Sequence, residues 1–559
     1  MAEKSGSSTG FKTNLFLSNQ DLDNIEQWKY KAVDKSLTTA IYAPFWEWLV
    51  KKVPRTVAPN VLSLAAFGCA LQAYWLVMAH GKEFPRASAI IAAILTFTYY
   101  TLDAIDGRHA RNTRNDSPLG EIFDHSVDNL GTSFQVVTVL QVLGWEDPLL
   151  QWYFVHAAQL VVFLKHLAAY NAKDKTLRYG LITGPGEVVH VVAIIMCLHG
   201  ATGHSFLWDW FAKLLRLADN YVIELGLPPL PDDLRVDGIV NETIFLTKGA
   251  QLFFYFVVLS TLLRLVNMLF KMEEKIVDGV KTAVPSEQHR RSARALIICL
   301  ACRLMPAVLR YYSTRVEVRT ITPERIINDG LFFAILIVDL IVAKIANRTI
   351  HGLIIIMSMM SIISDLAIYA SIVIYYITVL GDIANHMNLP LLNTVTNIYC
   401  DGVCDLLHLG HMNQFKQAHN VVKGGTRLFV GIMSDADATE YKRQPIMTED
   451  ERYDSARACK YVHGVIKNGP VCHYLREKGS KKKTPTEEII EKYNIHYFAI
   501  GEEYKEVKPG KIDYYALPRK LGMCKFTART AGISTSTLIG RIVARADELS
   551  PKRKQKKAL

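Results

Sequence analysis

The sequence predicts a multi-span α-helical membrane domain followed by a soluble α/β domain with a Rossmann-like, nucleotide-binding pattern. Three observations predict it. Half of the 559 residues are apolar and the mean hydropathy is positive, +0.13. Apolar runs of about 20 residues, the length that crosses a bilayer, recur after Pro59. Beyond about residue 390 the texture changes, and short apolar strands such as Arg427–Gly431 and His496–Gly501 alternate with polar helical stretches.

The first element, residues 1–57, opens on a polar MAEKSGSSTGFKTN that lacks the apolar core of a cleaved signal peptide. It then mixes Trp28, Tyr30, Tyr42, Phe45, Trp46 and Trp48 with Lys51, Lys52 and Arg55. That mixture suits helices lying in the membrane interface, or equally an ordinary amphipathic helix. The membrane domain, 58–388, has apolar runs near 60–80, 87–105, 127–145, 150–171, 181–200, 246–270, 291–310 and 328–350, then a longer run at 351–381. A single span at 351–381 would put the C-terminal domain on the lumenal side, so this run is expected to split or to re-enter. The total is nine to ten spans.

Lys and Arg number 64 against 53 acidic residues, a net charge of +11. Beside long apolar runs this surplus points to cytoplasmic loops and anionic headgroups, not to nucleic acid. AKDKTLR at 172–178 and the basic stretch 271–294 are expected to be cytoplasmic, along with the connection at 106–126. The loop 201–245 then faces the lumen and offers Asn241-Glu-Thr243 as a glycosylation tripeptide. The nine cysteines form no paired ladder, and Cys299 and Cys302 fall in an apolar run where thiols pack, so neither a disulfide scaffold nor a zinc site follows. The soluble domain is placed at 389–547. A basic cytosolic tail, 548–559, closes the chain.

Chemistry is concentrated in two places. From Asp103 the chain reads D-x-x-D-G-x-x-A-R-x8-G-x-x-x-D-x-x-x-D, fixing Asp103, Asp106, Gly107, Ala110, Arg111, Gly120, Asp124 and Asp128. Carboxylates three apart at the end of one helix and four apart on the next each share a face. Facing each other, the four can hold two divalent cations that neutralise a phosphate-rich substrate. Glycines at 107 and 120 allow close approach, and Arg111 can fork onto phosphate. Carboxylates this deep in apolar sequence are costly unless coordinated, although intramembrane carboxylates also serve ion-coupled transporters.

This string is the signature of the CDP-alcohol phosphotransferase family. SPLGEIFDHSVDN, Ala58-Pro59-Asn60 and Gly184-Pro185-Gly186-Glu187 resemble its eukaryotic choline/ethanolamine branch. The resemblance implies attack by the diacylglycerol hydroxyl on the β-phosphate of a CDP-alcohol, releasing CMP, with two Mg2+ or Mn2+ ions on Asp103, Asp106, Asp124 and Asp128. It also places Asn60 at the substrate. For the general base we expect His125, oriented by Glu121 four residues earlier, with Asp128 as the rival.

The second place is YCDGVCDLLHLGH, Tyr399–His411, a predicted strand running into a helix that carries His408-x-Gly410-His411. Imidazoles three apart share a face, Gly410 leaves room for a triphosphate, and no covalent nucleophile is needed. Downstream, Arg529-Thr530-Ala531-Gly532-Ile533-Ser534-Thr535-Ser536 offers an arginine, hydroxyls and helix-start amides to phosphate. Together the two elements resemble the nucleotidyltransferase branch of phosphocholine, phosphoethanolamine and glycerol-3-phosphate cytidylyltransferases. The resemblance implies that His408 and His411 stabilise the transition state, that Asp405 and Lys442 assist at the phosphates, and that Arg452, Arg529, Thr530, Ser534, Thr535 and Ser536 serve CTP with its Mg2+. Val471 follows Asn468-Gly469-Pro470 where choline-selective members place an aromatic residue, which tilts the reading to ethanolamine.

The expectation is a bifunctional enzyme. One half makes CDP-ethanolamine or CDP-choline from CTP and phosphoethanolamine or phosphocholine, and the other passes the phospho-alcohol to diacylglycerol. The alternative keeps the phosphotransferase and makes the second domain a regulatory nucleotide sensor. Lys556-Lys557-Ala558-Leu559 resembles a dilysine retrieval signal, implying the endoplasmic reticulum membrane with a cytosolic C-terminal domain. A homodimer is expected by analogy.

Overall fold

The computed structural model describes residues 3–4, 13–180, 184–225, 228, 230–236, 239–277, 280–313, 322–422, 425–469, 484–507 and 513–546. The lysine-rich insertion at 480–483, Val471 and the basic tail lie outside the described residues. The chain divides into two units, Gly10–Arg111 with Asp116–Leu392, and Asn393–Leu559 with Met1–Thr9 and Asn112–Asn115.

The larger unit is helical. It opens with α1 (Asn19–Glu26) and α2 (Leu37–Val50). The 14 residues of α2 rise about 21 Å, short of the roughly 30 Å of a bilayer core. There follow α3 (Pro59–His80), α4 (Pro85–Asn112), α5 (Pro118–Val142), α6 (Pro148–Asn171), α7 (Pro185–Thr202), α8 (His204–Glu224), α9 (Glu242–Leu269), α10 (Glu287–Ser313), α11 (Pro323–Ala346), α12 (Gly352–Ile363) and α13 (Asp365–Met387). Among the described residues five of these, α3, α4, α9, α11 and α13, are long and apolar enough to cross a membrane. Start signals recur in the sequence: Ser117, Asp147 and Thr322 each cap a helix whose first residue is proline. The cap side chain satisfies an orphan amide, and proline spends no donor there.

Three expectations need comment. The run 351–381 is broken into two helices at Ser364, whose extended backbone ends the 12-residue α12 while its hydroxyl accepts from Leu366 N at 3.2 Å to begin α13. The loop 201–245 contains a helix, α8, against expectation. Its apolar residues Trp210, Leu214, Leu217 and Tyr221 recur at helical spacing but alternate with Asp209, Lys213 and Arg216, so average hydropathy conceals them. The basic stretch at 271–294 holds an antiparallel hairpin, Met272–Val277 with Val280–Pro285, before α10 begins at Glu287. Asn241 of the glycosylation tripeptide caps α9, accepting from Ile244 N at 3.0 Å.

Helix α11 is the buried axis of this unit. From Ile326 to Ala346 every residue is buried. Its charges are therefore all partnered: Asp329 by Arg303, Asp339 by Arg348 at 2.6 Å and by the Tyr375 hydroxyl at 3.0 Å, Lys344 by Glu121 at 3.4 Å. Gly330 has no room for a side chain, since a Cβ there would meet the Ser133 hydroxyl of α5. This is the small-residue approach by which membrane helices pack closely.

In the C-terminal unit β1 (Val395–Gly402), β2 (Gly425–Ile432), β3 (Gly464–Lys467), β4 (Ile495–Gly501) and β5 (Cys524–Thr527) form a parallel sheet in the order β3-β2-β1-β4-β5. Glu3–Lys4 adds an antiparallel edge to β3. Helices α14 (Leu409–His419), α15 (Asp435–Tyr441), α16 (Glu449–Arg457), α17 (Pro485–Lys492), α18 (Ala516–Lys520) and α19 (Thr535–Ala544) connect or follow the strands. The order reverses between β1 and β4. Ligands of such sheets bind beyond the carboxyl ends of the strands at that reversal, and β1 leads directly into His408.

Candidate active sites

In the helical unit the last turns of α4 and the first half of α5 bring the four aspartates together. One ligand atom each from Asp103, Asp106 and Asp124 lies within 4.8 Å of the others, and so does one each from Asp124, His125 and Asp128. Asp103 reaches Asp128, and Asp106 reaches Asp124, at hydrogen-bonding range. Four carboxylates crowded together, Asp106 buried and the other three half-buried, repel one another unless a cation is held between them. Asp124 Oδ1 is buried without a hydrogen-bond partner, which fits an atom reserved for such an ion.

Two neighbours that the sequence pattern did not single out hold these carboxylates. Ser63 Oγ of α3 donates to Asp106 Oδ2 at 2.5 Å, and the Tyr99 hydroxyl, one turn before Asp103, donates to Asp128 Oδ1 at 2.9 Å. The signal for both was available: Ser63 lies three residues after Asn60, and Tyr99 four before Asp103, on the same helix faces. Asn60 donates to the Leu391 carbonyl at 2.8 Å, and its Oδ1 would stand 3.6 Å from a Cβ on Gly120. Arg111 is exposed at the end of α4, next to the half-buried Ala110.

The expected pairing of Glu121 with His125 is not formed. Glu121 Oε2 accepts from the Trp28 indole at 2.7 Å, and Oε1 faces the Lys344 ammonium at 3.4 Å. Lys344 also stands 5.3 Å over the Trp28 ring. A lysine buried on α11 needs a counter-ion, and that demand, 223 residues away in sequence, takes the carboxylate. His125 instead stacks edge-on to His166 at 5.4 Å, with Tyr30 at 6.5 Å, and its Nε2 has no hydrogen-bond partner.

In the C-terminal unit His408 is not in the helix but caps it. Its Nδ1 accepts from Gly410 N at 3.0 Å, while its own N–H donates to His411 Nδ1 at 3.4 Å. The rings lie 4.0 Å apart. Because both Nδ1 atoms accept, both neutral rings carry their proton on Nε2 and present it as a donor. A Cβ on Gly410 would come 2.7 Å from the His408 ring, so only glycine fits between the histidines. Burial pushes both imidazoles below their ordinary range. His411, with the His408 and Lys442 charges adding to burial, falls to about 4.

The 529–536 segment reaches the same spot. Thr535 Oγ1 lies 3.4 Å from His408 Nε2 and donates to the Asp405 carbonyl at 3.1 Å. Thr530 Oγ1 accepts from Asn413 at 3.3 Å, Ser534 caps α19 through Thr537 N at 3.0 Å, and Arg529 and Ser536 are exposed. Lys442 is exposed at the end of α15.

Two residues expected at the phosphates are turned to other work. Asp405 Oδ1 accepts from Ile446 N at 3.1 Å and Met447 N at 3.0 Å, pinning the loop after α15. Arg452 has no exposed side chain and ties the Val403 carbonyl at 2.7 Å to Asp435 at 2.7 Å. Each satisfies backbone or charge that burial would leave unpaired.

A carboxylate cluster on paired membrane-type helices and a histidine pair at a Rossmann-type switch point define a two-part chain with two candidate sites. A CDP-alcohol phosphatidyltransferase family model matches residues 56–217, and a cytidylyltransferase-like model matches 399–541. The chain therefore carries a region that matches the CDP-alcohol phosphatidyltransferase family, followed by one that matches cytidylyltransferase-like domains. It is similar to Cholinephosphotransferase 1 of Rattus norvegicus, 29% identical over 221 residues, 38% of this chain and 53% of that protein. It is also similar to Ethanolaminephosphotransferase 1 of Homo sapiens, 33% identical over 180 residues, 30% of this chain and 45% of that protein. Ethanolamine-phosphate cytidylyltransferase of Dictyostelium discoideum is 34% identical over 157 residues, 27% of this chain and 39% of that protein. The chain thus spans about half the length of the curated relatives it matches.

Proposed function

We propose that this chain makes a CDP-alcohol in its C-terminal unit and transfers the phospho-alcohol to diacylglycerol in its helical unit. The observation that carries the reading is the presence, on one polypeptide, of the four-aspartate cluster and the His408–His411 pair closed by Thr535. The product of one reaction is the donor of the other.

At the histidines, a phosphate oxygen of the phospho-alcohol attacks the α-phosphate of CTP and pyrophosphate leaves. The Nε2–H groups of His408 and His411 donate to the phosphate oxygens as charge builds there, and Arg529 and Lys442 add fixed positive charge. Asp405 and Arg452 position the surrounding loops. At the aspartates, the acceptor hydroxyl attacks the β-phosphate, CMP leaves, and the unpartnered His125 Nε2 takes the hydroxyl proton. Mg2+ or Mn2+ held by Asp103, Asp106, Asp124 and Asp128 would neutralise the pyrophosphate charge and stabilise the leaving CMP. Ser63 and Tyr99 orient the carboxylates toward it.

Ethanolamine is the favoured alcohol because Val471 stands where choline-selective relatives carry an aromatic. The reading includes nine to ten spans, with α5, α6, α7 and α10 crossing beside the five apolar helices, residence in the endoplasmic reticulum membrane with the C-terminal unit cytosolic, and a homodimer. The test is reconstitution: purified protein in vesicles with diacylglycerol, given CTP, Mg2+ and phosphoethanolamine, should form phosphatidylethanolamine and release pyrophosphate and CMP. No lipid product from either phospho-alcohol rejects the proposal.

A further inference from the structure

Helix α8 runs across one end of the helical unit, not along it, and its neighbours show this. At the junction of α7 and α8, a Cβ on Gly200 would come 2.8 Å from the Arg86 carbonyl, and one on Gly203 would come 2.9 Å from the Arg86 guanidinium. Arg86 precedes Asp103 by about 26 Å along α4, so α8 begins at the end of the unit remote from the aspartates. Helix α9 begins there too. Just past its last turn Lys271 donates to the Asn171 carbonyl at 2.8 Å, closing on the end of α6, which carries His166 to His125 beside the aspartates. The start of α9 is 28 residues away, about 42 Å. The middle of α8 is tied to that start: Arg216 pairs with Glu242 at 3.1 Å, and the Phe211 and Phe245 rings lie 6.5 Å apart. A helix crossing the unit would by Arg216 have descended about 20 Å toward the aspartates.

The side chains of α8 sort into three strips. Phe211, Leu215 and Asp219 face the protein: Leu215 and Asp219 are buried, and Asp219 accepts from Leu230 N at 3.0 Å and from Arg235 at 2.6 Å. Trp210, Leu214, Leu217 and Tyr221 fall within about 60° of arc and are exposed, Leu217 by 64% and Tyr221 by 62%. Asp209, Lys213, Arg216, Asn220 and Glu224, exposed as well, make the third strip. The centres of the three strips stand about 90–140° apart. An ordinary surface helix has an apolar face toward the core and a polar face toward water. A third, outward apolar strip is what a helix needs when it borders protein, hydrocarbon and water at once.

The surroundings identify what covers that strip. Its 21 residues are enough to cross a bilayer, but its composition is not that of a span. The next helix, α9, is apolar enough to cross and exposes Leu252, Phe253 and Phe256, so the strip continues a surface already suited to lipid. Trp210 and Tyr221 at its two ends are the residue types that settle at headgroup level. On the polar strip Asp209 and Glu224 balance Lys213 and Arg216, so attraction to anionic headgroups does not hold it.

We propose that α8 lies in the plane of the bilayer leaflet remote from the aspartates, with Trp210, Leu214, Leu217 and Tyr221 sunk at the border of headgroups and acyl chains, anchoring the unit to a lipid surface without crossing it. The inference goes beyond the two transfer reactions and rests only on the helical unit standing in a membrane.

The test uses the full chain in phosphatidylcholine nanodiscs, with a fluorescent amino acid placed by codon suppression at 210, 214, 217 and 221 in turn. Lipids brominated near the headgroup should quench all four positions alike, and at least about twofold better than lipids brominated near the chain end, as a depth of about 5–10 Å requires. The same probe at 213 should be quenched by aqueous iodide and by neither lipid. Adding phosphatidylserine should leave the pattern unchanged. Quenching that passes from shallow to deep bromines between 210 and 221, about 16 Å of descent, makes α8 a span and overturns the proposal. Shielding of all four positions from lipid and iodide alike overturns it as well, by placing a second copy of the chain over the strip. A several-fold gain with phosphatidylserine rejects the charge-balanced anchor. A probe at 256 on α9 keeps the two readings apart: if deep bromines do not quench it, the membrane placement of the whole unit fails, whereas lipid contact there without lipid contact on α8 rejects α8 alone.

Discussion

In the proposed reading the two sites take the same kind of ligand, a phosphate chain bearing a cytidine, and they meet it with opposite equipment. In the helical unit the protein brings negative charge: four crowded aspartates on α4 and α5, Asp106 buried and the others half-buried, with Asp124 Oδ1 unpartnered. In the C-terminal unit it brings neutral donors, two half-buried imidazoles whose Nδ1 atoms are tied to the backbone, leaving the proton on Nε2. Low dielectric explains the difference. In the proposed reading a phosphate chain entering the largely shielded helical site needs cations beside it, and the carboxylates there would hold them. At the open carboxyl ends of the strands, water would screen the charge in the proposed reading, and directed N–H groups that match the transition state suffice.

The comparison breaks first at its anionic side. Asp124→Asn should lower transfer from supplied CDP-alcohol by about a thousandfold or more while pyrophosphate release from CTP stays at the parent rate, both read on one preparation. The converse is next: His408→Ala should cost cytidylyl transfer about 100- to 1,000-fold and spare the use of supplied CDP-alcohol. If both activities fall together in either variant, the sites are not separable.

A third prediction concerns acid. The His411 imidazole is held near 4 against an ordinary 6.5, so between those values the unfolded chain binds a proton that the folded site refuses. Stability from this group is therefore complete above about pH 6.5 and lost as pH falls toward 4, by on the order of 3 kcal/mol. Melting of the C-terminal unit followed from pH 8 to 4 should show the loss, and His411→Asn should flatten it. The smallest effect sharpens the metal side. Tyr99→Phe removes the hydrogen bond to Asp128 and should weaken divalent-ion affinity about tenfold, measured as the ion concentration needed for half-maximal thermal stabilisation.

Much of both sites was legible because it is local. Aspartates three and four apart share a helix face whatever surrounds them, and His408 and His411 three apart meet at a helix start. Helix starts were legible for the same reason: Ser117-Pro118, Asp147-Pro148 and Thr322-Pro323 satisfy the first amides by themselves. Helix α8 was missed because its charged residues interrupt an apolar stripe and lower the average hydropathy below that of a span.

What the sequence determined by itself was the pair of candidate sites and the residues nearest to them, since spacing alone sets which side chains share a face. The tertiary structure decided whom each residue answers to. Glu121 and His125 are four apart and look like a pair, yet Lys344, buried on α11, ion-pairs with Glu121, which also accepts from the Trp28 indole. Asp405 and Arg452 look like phosphate ligands, yet the backbone of Ile446, Met447 and Val403 claims them. A buried charge or amide must be satisfied by whatever the fold brings close, and no spacing rule reveals a partner two hundred residues away.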